Sequence, residues 1–203
     1  MRVTGYHQFG GWALLINGVG TVLLGLLGLL SYLYVLSYPA ADTLAPYQLV
    51  GLALFILGLP VIQLTQTRAG RLGWLGIGLM ELGAVMALVY ILLSWLTSVD
   101  TPSFVPFTSA LAGLIGDLLV GYLTVRVGVF FPKWAGWSLA AAGLINFTLG
   151  LTPPSNILGI VASLFAMLGG LAIVAYAVGA LSAYHAARWL NAQRSAGVRG
   201  MRP

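Results

Sequence analysis

Charge is what this chain lacks most. Only 6% of its 203 residues are charged while 60% are hydrophobic, against about 25% charged in a soluble domain. So few charges cannot cover a protein in water, so its solvent must be mostly lipid. Cysteine is absent altogether, which removes disulfide frameworks and thiolate chemistry. The two histidines, His7 and His185, both fall near span ends. A haem held between mid-membrane histidines and a zinc site of the His/Cys kind are therefore excluded. Neither histidine has a carboxylate partner in sequence or a His three or four residues away, so snorkelling to the interface or capping is their expected role.

The remaining catalytic signals are also missing. Ser and Thr are scattered without a neighbouring base, and the glycines lie inside apolar runs rather than in phosphate loops. We expect no enzyme, no catalytic residue, no metal and no cofactor, with a bound lipid or pigment the only non-protein group left open. The cations are Arg-heavy, with Lys133 the single lysine. They sit singly at helix ends rather than on one exposed face, so no nucleic-acid partner is expected.

What is present is a series of long apolar runs. Spans of roughly 20 residues are needed to cross a bilayer, and the runs place them near 11–36, 46–66, 72–97, 105–127, 134–151 and 155–187. Helix rather than strand follows from run length and from the need to satisfy every backbone amide within the segment. Tyr38-Pro39, Pro46, Asp100–Pro106, Pro132 and Pro153-Pro154 stand where helices should start or stop. Pro60 lies inside the second run and should kink it. The first run is about 26 residues, too long for the 7–15-residue core of a signal peptide, and reads as a retained span. The sequon Asn146-Phe147-Thr148 lies within a span and is a chance match.

Six spans put all nine cations on one side: Arg2, Arg68, Arg71, Arg126, Lys133, Arg188, Arg194, Arg199 and Arg202. The opposite loops carry Asp42 and Asp100. The positive-inside rule then places both termini in the cytoplasm. Trp12, Trp74, Trp134, Trp137 and Trp189 mark the cytoplasmic interface as anchors. Trp95, with Tyr32, Tyr34, Tyr38, Tyr47 and Phe107, marks the other.

A unit occurs three times along these spans. Gly-Trp falls at Gly11, Gly73 and Gly136, in steps of 62 and 63 residues. Val-x-x-Leu-[Thr/Ser] falls at Val61–Thr65, Val120–Thr124 and Val178–Ser182, in steps of 59 and 58. The expected fold is therefore an all-α integral membrane protein of six transmembrane helices. They form three tandem parallel-repeat hairpins, about 11–66, 72–127 and 134–187, in a single membrane domain over 1–203 with a basic cytoplasmic tail at 188–203.

Glycine predicts how the helices pack. Gly11, Gly18 and Gly25 recur every seven residues, as do Gly136, Gly143 and Gly150, and Gly51/Gly58 and Gly76/Gly83 keep the same step. A seven-residue step returns to nearly the same helix face, and small residues let backbones approach closely in lipid. The last span adds Ala162-Ala166-Gly170 and Ala175-Gly179-Ala183. The plain reading is a packed bundle core. The sharper one is that some rows, above all on the first or sixth span, face another chain, a pigment or a fixed lipid.

Two acids fall within spans. Glu81 lies about 15 Å beyond Arg71 and Asp117 about 14 Å before Arg126, at 1.5 Å per residue. Their depths match, both lie on small-residue stripes, and both are expected to face protein. With no cation at that depth, an isolated carboxylate takes up a proton. The plain reading is two neutral carboxyls hydrogen-bonded to Asn17, Asn146 or Tyr122. The alternative is an intramembrane proton or cation site of Glu81, Asp117, Asn17, Asn146 and Tyr122.

The stretch Arg126-Val-Gly-Val-Phe-Phe-Pro132-Lys133-Trp134-Ala-Gly136-Trp137 and on to Gly143 resembles the turn between the fourth and fifth helices of uncharacterised bacterial six-span inner-membrane proteins. The resemblance covers this turn and the helix count. It implies a multi-pass protein of the bacterial cytoplasmic membrane and no substrate. Two functions are expected on these grounds. The first is a non-catalytic accessory subunit or scaffold packing against other membrane subunits in complex assembly, an energy-transducing complex included. The second is a small-solute or proton-coupled carrier using Glu81 and Asp117, although same-side hairpins exclude the inverted repeats of many carriers.

Overall fold

The computed structural model describes residues 5–33, 41–96, 104–152 and 155–199, and no strand occurs among them. Arg2, Tyr34, Tyr38, Pro39, Asp100, Pro153, Pro154 and Arg202 lie outside the described residues. Helix α1 spans Gly5–Tyr32, α2 Ala41–Gly58, α3 Pro60–Thr65, α4 Gly70–Leu96, α5 Phe104–Val127, α6 Lys133–Gly150 and α7 Asn156–Arg199. A single 3-10 turn, Thr67–Ala69, joins α3 to α4.

Among the described residues, five segments are long and apolar enough to cross a membrane: Gly5–Tyr32, Thr43–Thr65, Gly70–Leu96, Phe104–Val127 and Asn156–Gln193. Within an apolar 18-residue stretch of each, between 22% and 33% is buried within the chain. The rest presents large apolar side chains such as Leu23, Val50 and Ile157, so hydrocarbon is the only solvent that suits this surface. Helix α6 is not among the five. It has 18 residues and carries Lys133, two tryptophans and Asn146.

Local chemistry sets the helix ends. Pro60 has no N–H to give, and the second span breaks there, with Leu59 between α2 and α3. Gly70 adopts φ +58°, a left-handed turn that favours glycine, and so redirects the chain from the 3-10 turn into α4. Pro132 is extended (φ −68°, ψ 140°) and opens α6. Helix α1 starts earlier than the apolar run suggested, because nothing between Gly5 and Gly11 breaks a helix. Helix α7 has 44 residues, about 66 Å at 1.5 Å per residue, more than twice the roughly 30 Å hydrocarbon core.

The helices close into a ring in chain order. Helix α1 packs on α2, α2 on α4, α4 on α5, α5 on α6, α6 on α7, and α7 back on α1. The short α3 reaches inside to α1, α4 and α7, and the 3-10 turn touches α4 and α5. Together they fill one end of the ring. The start of α1 and the late part of α7 lie at this same end, since Gly11 meets Ala177 and Leu181. Arg68, Arg71, Arg126, Lys133 and Arg188 also belong to it.

Small residues form the seams. A β-carbon at Gly18 would come within 2.9 Å of the Gly170 carbonyl and of Val174, and one at Gly25 within 3.0 Å of the Ser163 carbonyl. The whole Gly11–Gly18–Gly25 row thus lies against α7, and no outward seam remains on that face of the first span. Gly83 meets Gly113 and the Ser109 carbonyl across α4 and α5, and Gly121 and Gly136 meet each other's carbonyls across α5 and α6. Leu14, Leu59, Ile77, Met80, Val120, Leu139 and Tyr176 fill the interior. The six tryptophans noted in the sequence are all exposed, as interfacial anchors must be.

The seam can be tested within one helix. Gly18→Val should lower stability by about 1–3 kcal/mol through overpacking against α7. Gly20→Val should cost less than about 0.5 kcal/mol, because a β-carbon there meets nothing within 4 Å. Thermal unfolding in mild detergent separates the two.

Candidate functional site

The densest polar cluster sits at the α3 end of the ring. Gln63, Thr65, Gln66, Thr124 and His7 are all buried. The α3 segment places its glutamines inward because Pro60 turns it into the ring. Gln66 Nε2 donates to Thr124 Oγ1 at 2.8 Å, and Thr124 Oγ1 donates to the Val120 carbonyl at 2.8 Å. Thr124 has one proton. With that proton on Val120, the Tyr176 hydroxyl 2.8 Å away donates to Thr124. Three elements that are far apart in sequence therefore converge on one oxygen.

Packing fixes this network in place. Phe131, from the turn between α5 and α6, meets the Tyr176 ring edge-on at 4.8 Å and 71°, a favoured aromatic geometry. Gly179 leaves room for Phe131, since a β-carbon there would overlap its ring. Gln63 Nε2 donates to the Gly70 carbonyl at 3.0 Å, holding the left-handed turn. Its amide occupies the space a side chain at residue 73 would need, so a larger residue at Gly73 would displace the Gln63 amide. His7 is 1% exposed and does not snorkel, because α1 begins at Gly5 and carries it into the ring. His185 is exposed and meets Tyr184 edge-on at 5.5 Å.

The two acids lie level but diverge. Met80 packs on Gly116 across the α4–α5 seam, which sets Glu81 and Asp117 at one height. Both are half-buried. The Asp117 carboxyl turns toward α6 and rests on Gly143, where a β-carbon would come within 2.6 Å of its oxygen. Tyr176 lies within electrostatic range of Asp117. Glu81 instead lies within range of Tyr6, whose hydroxyl donates to the Leu57 carbonyl at 2.5 Å.

Of the other polar residues singled out in the sequence, Asn17 and Tyr122 have hydrogen-bond partners of their own. Asn17 Nδ2 donates to the Gly51 carbonyl at 2.8 Å and so ties α1 to α2. Tyr122 is 55% exposed, accepts from Arg126 at 2.7 Å and lies 5.9 Å beneath its guanidinium. Asn146 is exposed on α6. These five residues do not share one pocket in the described contacts. Gln63, Gln66 and Tyr176 join the buried polar groups without belonging to any sequence motif singled out above. The available signal was two glutamines following Pro60 in an otherwise apolar span.

Compared with protein-family models, curated proteins and solved structures, the chain matches none. No group of three or more metal-ligating side chains occurs among the described residues.

Thr124→Val should cost about 1–3 kcal/mol, because it strands the buried Gln66 amide and Tyr176 hydroxyl at once. Thr65→Val removes only the bond from Thr65 to the Val61 carbonyl and should cost about 1 kcal/mol or less. Denaturation in detergent or lipid, monitored by helical signal, ranks the two variants.

Proposed function

We propose that this protein is a non-catalytic multi-pass subunit or scaffold of the bacterial inner membrane, packing against other subunits of a larger membrane complex. Both termini lie in the cytoplasm, the side that the positive-inside rule gives to Arg68, Arg71, Arg126, Lys133 and Arg188. The bundle is three tandem hairpins, with α2 and α3 together as the second crossing, α6 as the fifth and α7 as the sixth. The ring order supports this. Gly11 packs on Ala177 and Leu181 of α7, Gly73 on Gln63 of α3, and Gly136 on Gly121 and Thr124 of α5. Each Gly-Trp glycine thus rests on the second helix of the hairpin before it, counted around the ring.

One observation carries the subunit reading. Four polar side chains of the bundle are tied into structural bonds: Asn17 to Gly51, Gln63 to Gly70, Gln66 to Thr124, and Ser109 to the Gly83 carbonyl at 2.8 Å. They rigidify the fold rather than converge on a reacting group. The partner surface is not the first-span glycine row, which α7 covers. It is the extension of α7 beyond the bundle, where Arg188, Trp189 and Leu190 are exposed and the basic tail follows.

A second reading has its own support. Asp117 lies within electrostatic range of Tyr176, which is bonded to Thr124 and through it to Gln66, so a membrane-depth acid is near a buried polar row. That arrangement would suit a proton-coupled carrier.

Native mass spectrometry after gentle extraction should find the 21.4 kDa chain in a heavier complex, and truncation after Tyr184 should release it. A monomer that carries solute or proton flux in proteoliposomes, lost on Asp117→Asn or Glu81→Gln, would establish the carrier instead.

A further inference from the structure

Pro60 changes what the carbonyls before it can do. Helix α2 ends at Gly58, and the Leu59 N–H still donates to the Phe55 carbonyl at 2.9 Å. The next carbonyl, that of Ile56, would take its helical bond from residue 60, and proline has no N–H to give. The Leu57 carbonyl receives the Tyr6 hydroxyl at 2.5 Å, which leaves the lone pairs of the Tyr6 oxygen available. The C-terminal end of a helix also carries partial negative charge. Three electron-rich features therefore meet where the second span breaks.

Glu81 stands level with this break. The Gln63 amide rests on Gly73. Leu57 lies six residues before Gln63, and Glu81 lies eight residues beyond Gly73. From that shared contact they rise about 9 and 12 Å along neighbouring helices. Helices α2 and α4 pack on each other, and Glu81 is within electrostatic range of Tyr6. No Lys or Arg lies between Arg2 and Arg68, between Arg71 and Arg126, or between Lys133 and Arg188. The chain thus has no cation of its own at this depth. Asp117, the other acid at this height, turns away toward Gly143.

We propose that the α2 break binds a sodium ion between the Ile56 carbonyl, the Tyr6 hydroxyl oxygen and the Glu81 carboxylate. All three ligands are oxygens, which suit a hard cation rather than a thiolate- or imidazole-seeking transition metal. One positive charge matches one carboxylate and leaves the filled site neutral. A divalent ion would leave net charge in the membrane, which is costly. Carbonyls released where a membrane helix is broken are a general source of sodium ligands. Without sodium, a proton on Glu81 keeps the site neutral, so binding exchanges one proton for one ion. The proposal stands whether the chain works as a subunit or as a carrier, because an ion here closes the break in either.

The test is labelling of the full chain in vesicles with dicyclohexylcarbodiimide, which adds to protonated carboxyls in apolar surroundings. Peptide mass spectrometry locates the product. In choline chloride, Glu81 should be labelled. Saturating sodium chloride at equal ionic strength should slow that labelling about tenfold or more, since protection grows as 1 + [L]/Kd. Tyr6→Phe removes one ligand, and Pro60→Ala returns a helical donor to Ile56. Each should leave Glu81 labelled and lose the sodium protection, with helical signal and unfolding temperature close to the parent. Asp117→Asn should keep the protection. Equal labelling rates in sodium and choline overturn the proposal, as does a Glu81 that is never labelled. Protection that survives in both Tyr6→Phe and Pro60→Ala overturns it too, because Glu81 would then hold the ion without the break.

Discussion

Everything in this bundle depends on the seam between the first helix and the last. A ring of helices in lipid has no hydrophobic drive to close it, because the solvent is as apolar as the side chains. Closure must come from close van der Waals contact, and that requires backbones to approach. Gly18 against Gly170, and Gly11 and Gly25 on either side, bring α1 and α7 that near over about 14 residues, or roughly 21 Å of helix. With that seam shut, α3 and the 3-10 turn have a cavity to enter. With it open, Gln63, Gln66 and Thr124 would face lipid with unsatisfied groups.

The polar network is the second consequence. In hydrocarbon an unpaired amide or hydroxyl is costly, so Gln66 and Tyr176 are acceptable only where Thr124 can receive both. Pro60 makes this meeting possible by breaking the second span and turning its last residues inward. The break, the left-handed Gly70 and the bare Cα of Gly73 are one device that folds six helical residues back into the ring.

Much of this was legible in residues alone. Apolar run lengths gave the helices, Pro60 gave the break, and the seven-residue glycine steps gave the seams at every such glycine but Gly150, where a β-carbon meets nothing within 4 Å. The partners themselves were not legible. Nothing local shows that the Gly11–Gly18–Gly25 face meets α7 rather than a second protein, because ring closure is a long-range property. The direction of Asp117 was hidden for the same reason. Its depth follows from counting residues from Arg126, but its turn toward Gly143 depends on where α6 lies. His7 misled because a histidine near a chain end reads as interfacial until the helix is known to start at Gly5.

The central claim is that one chain closes its own ring through α1 and α7. The absence of native cysteine makes this directly measurable. Cysteines placed at Val22 and Val174, each within one or two turns of the Gly18–Gly170 contact, can be treated in membranes with a short bis-thiol reagent. The account predicts an efficient cross-link within a single chain, seen as joined α1 and α7 peptides at monomer mass. Cross-links that appear only between chains, or none under conditions that join a control pair across α4 and α5, would contradict it.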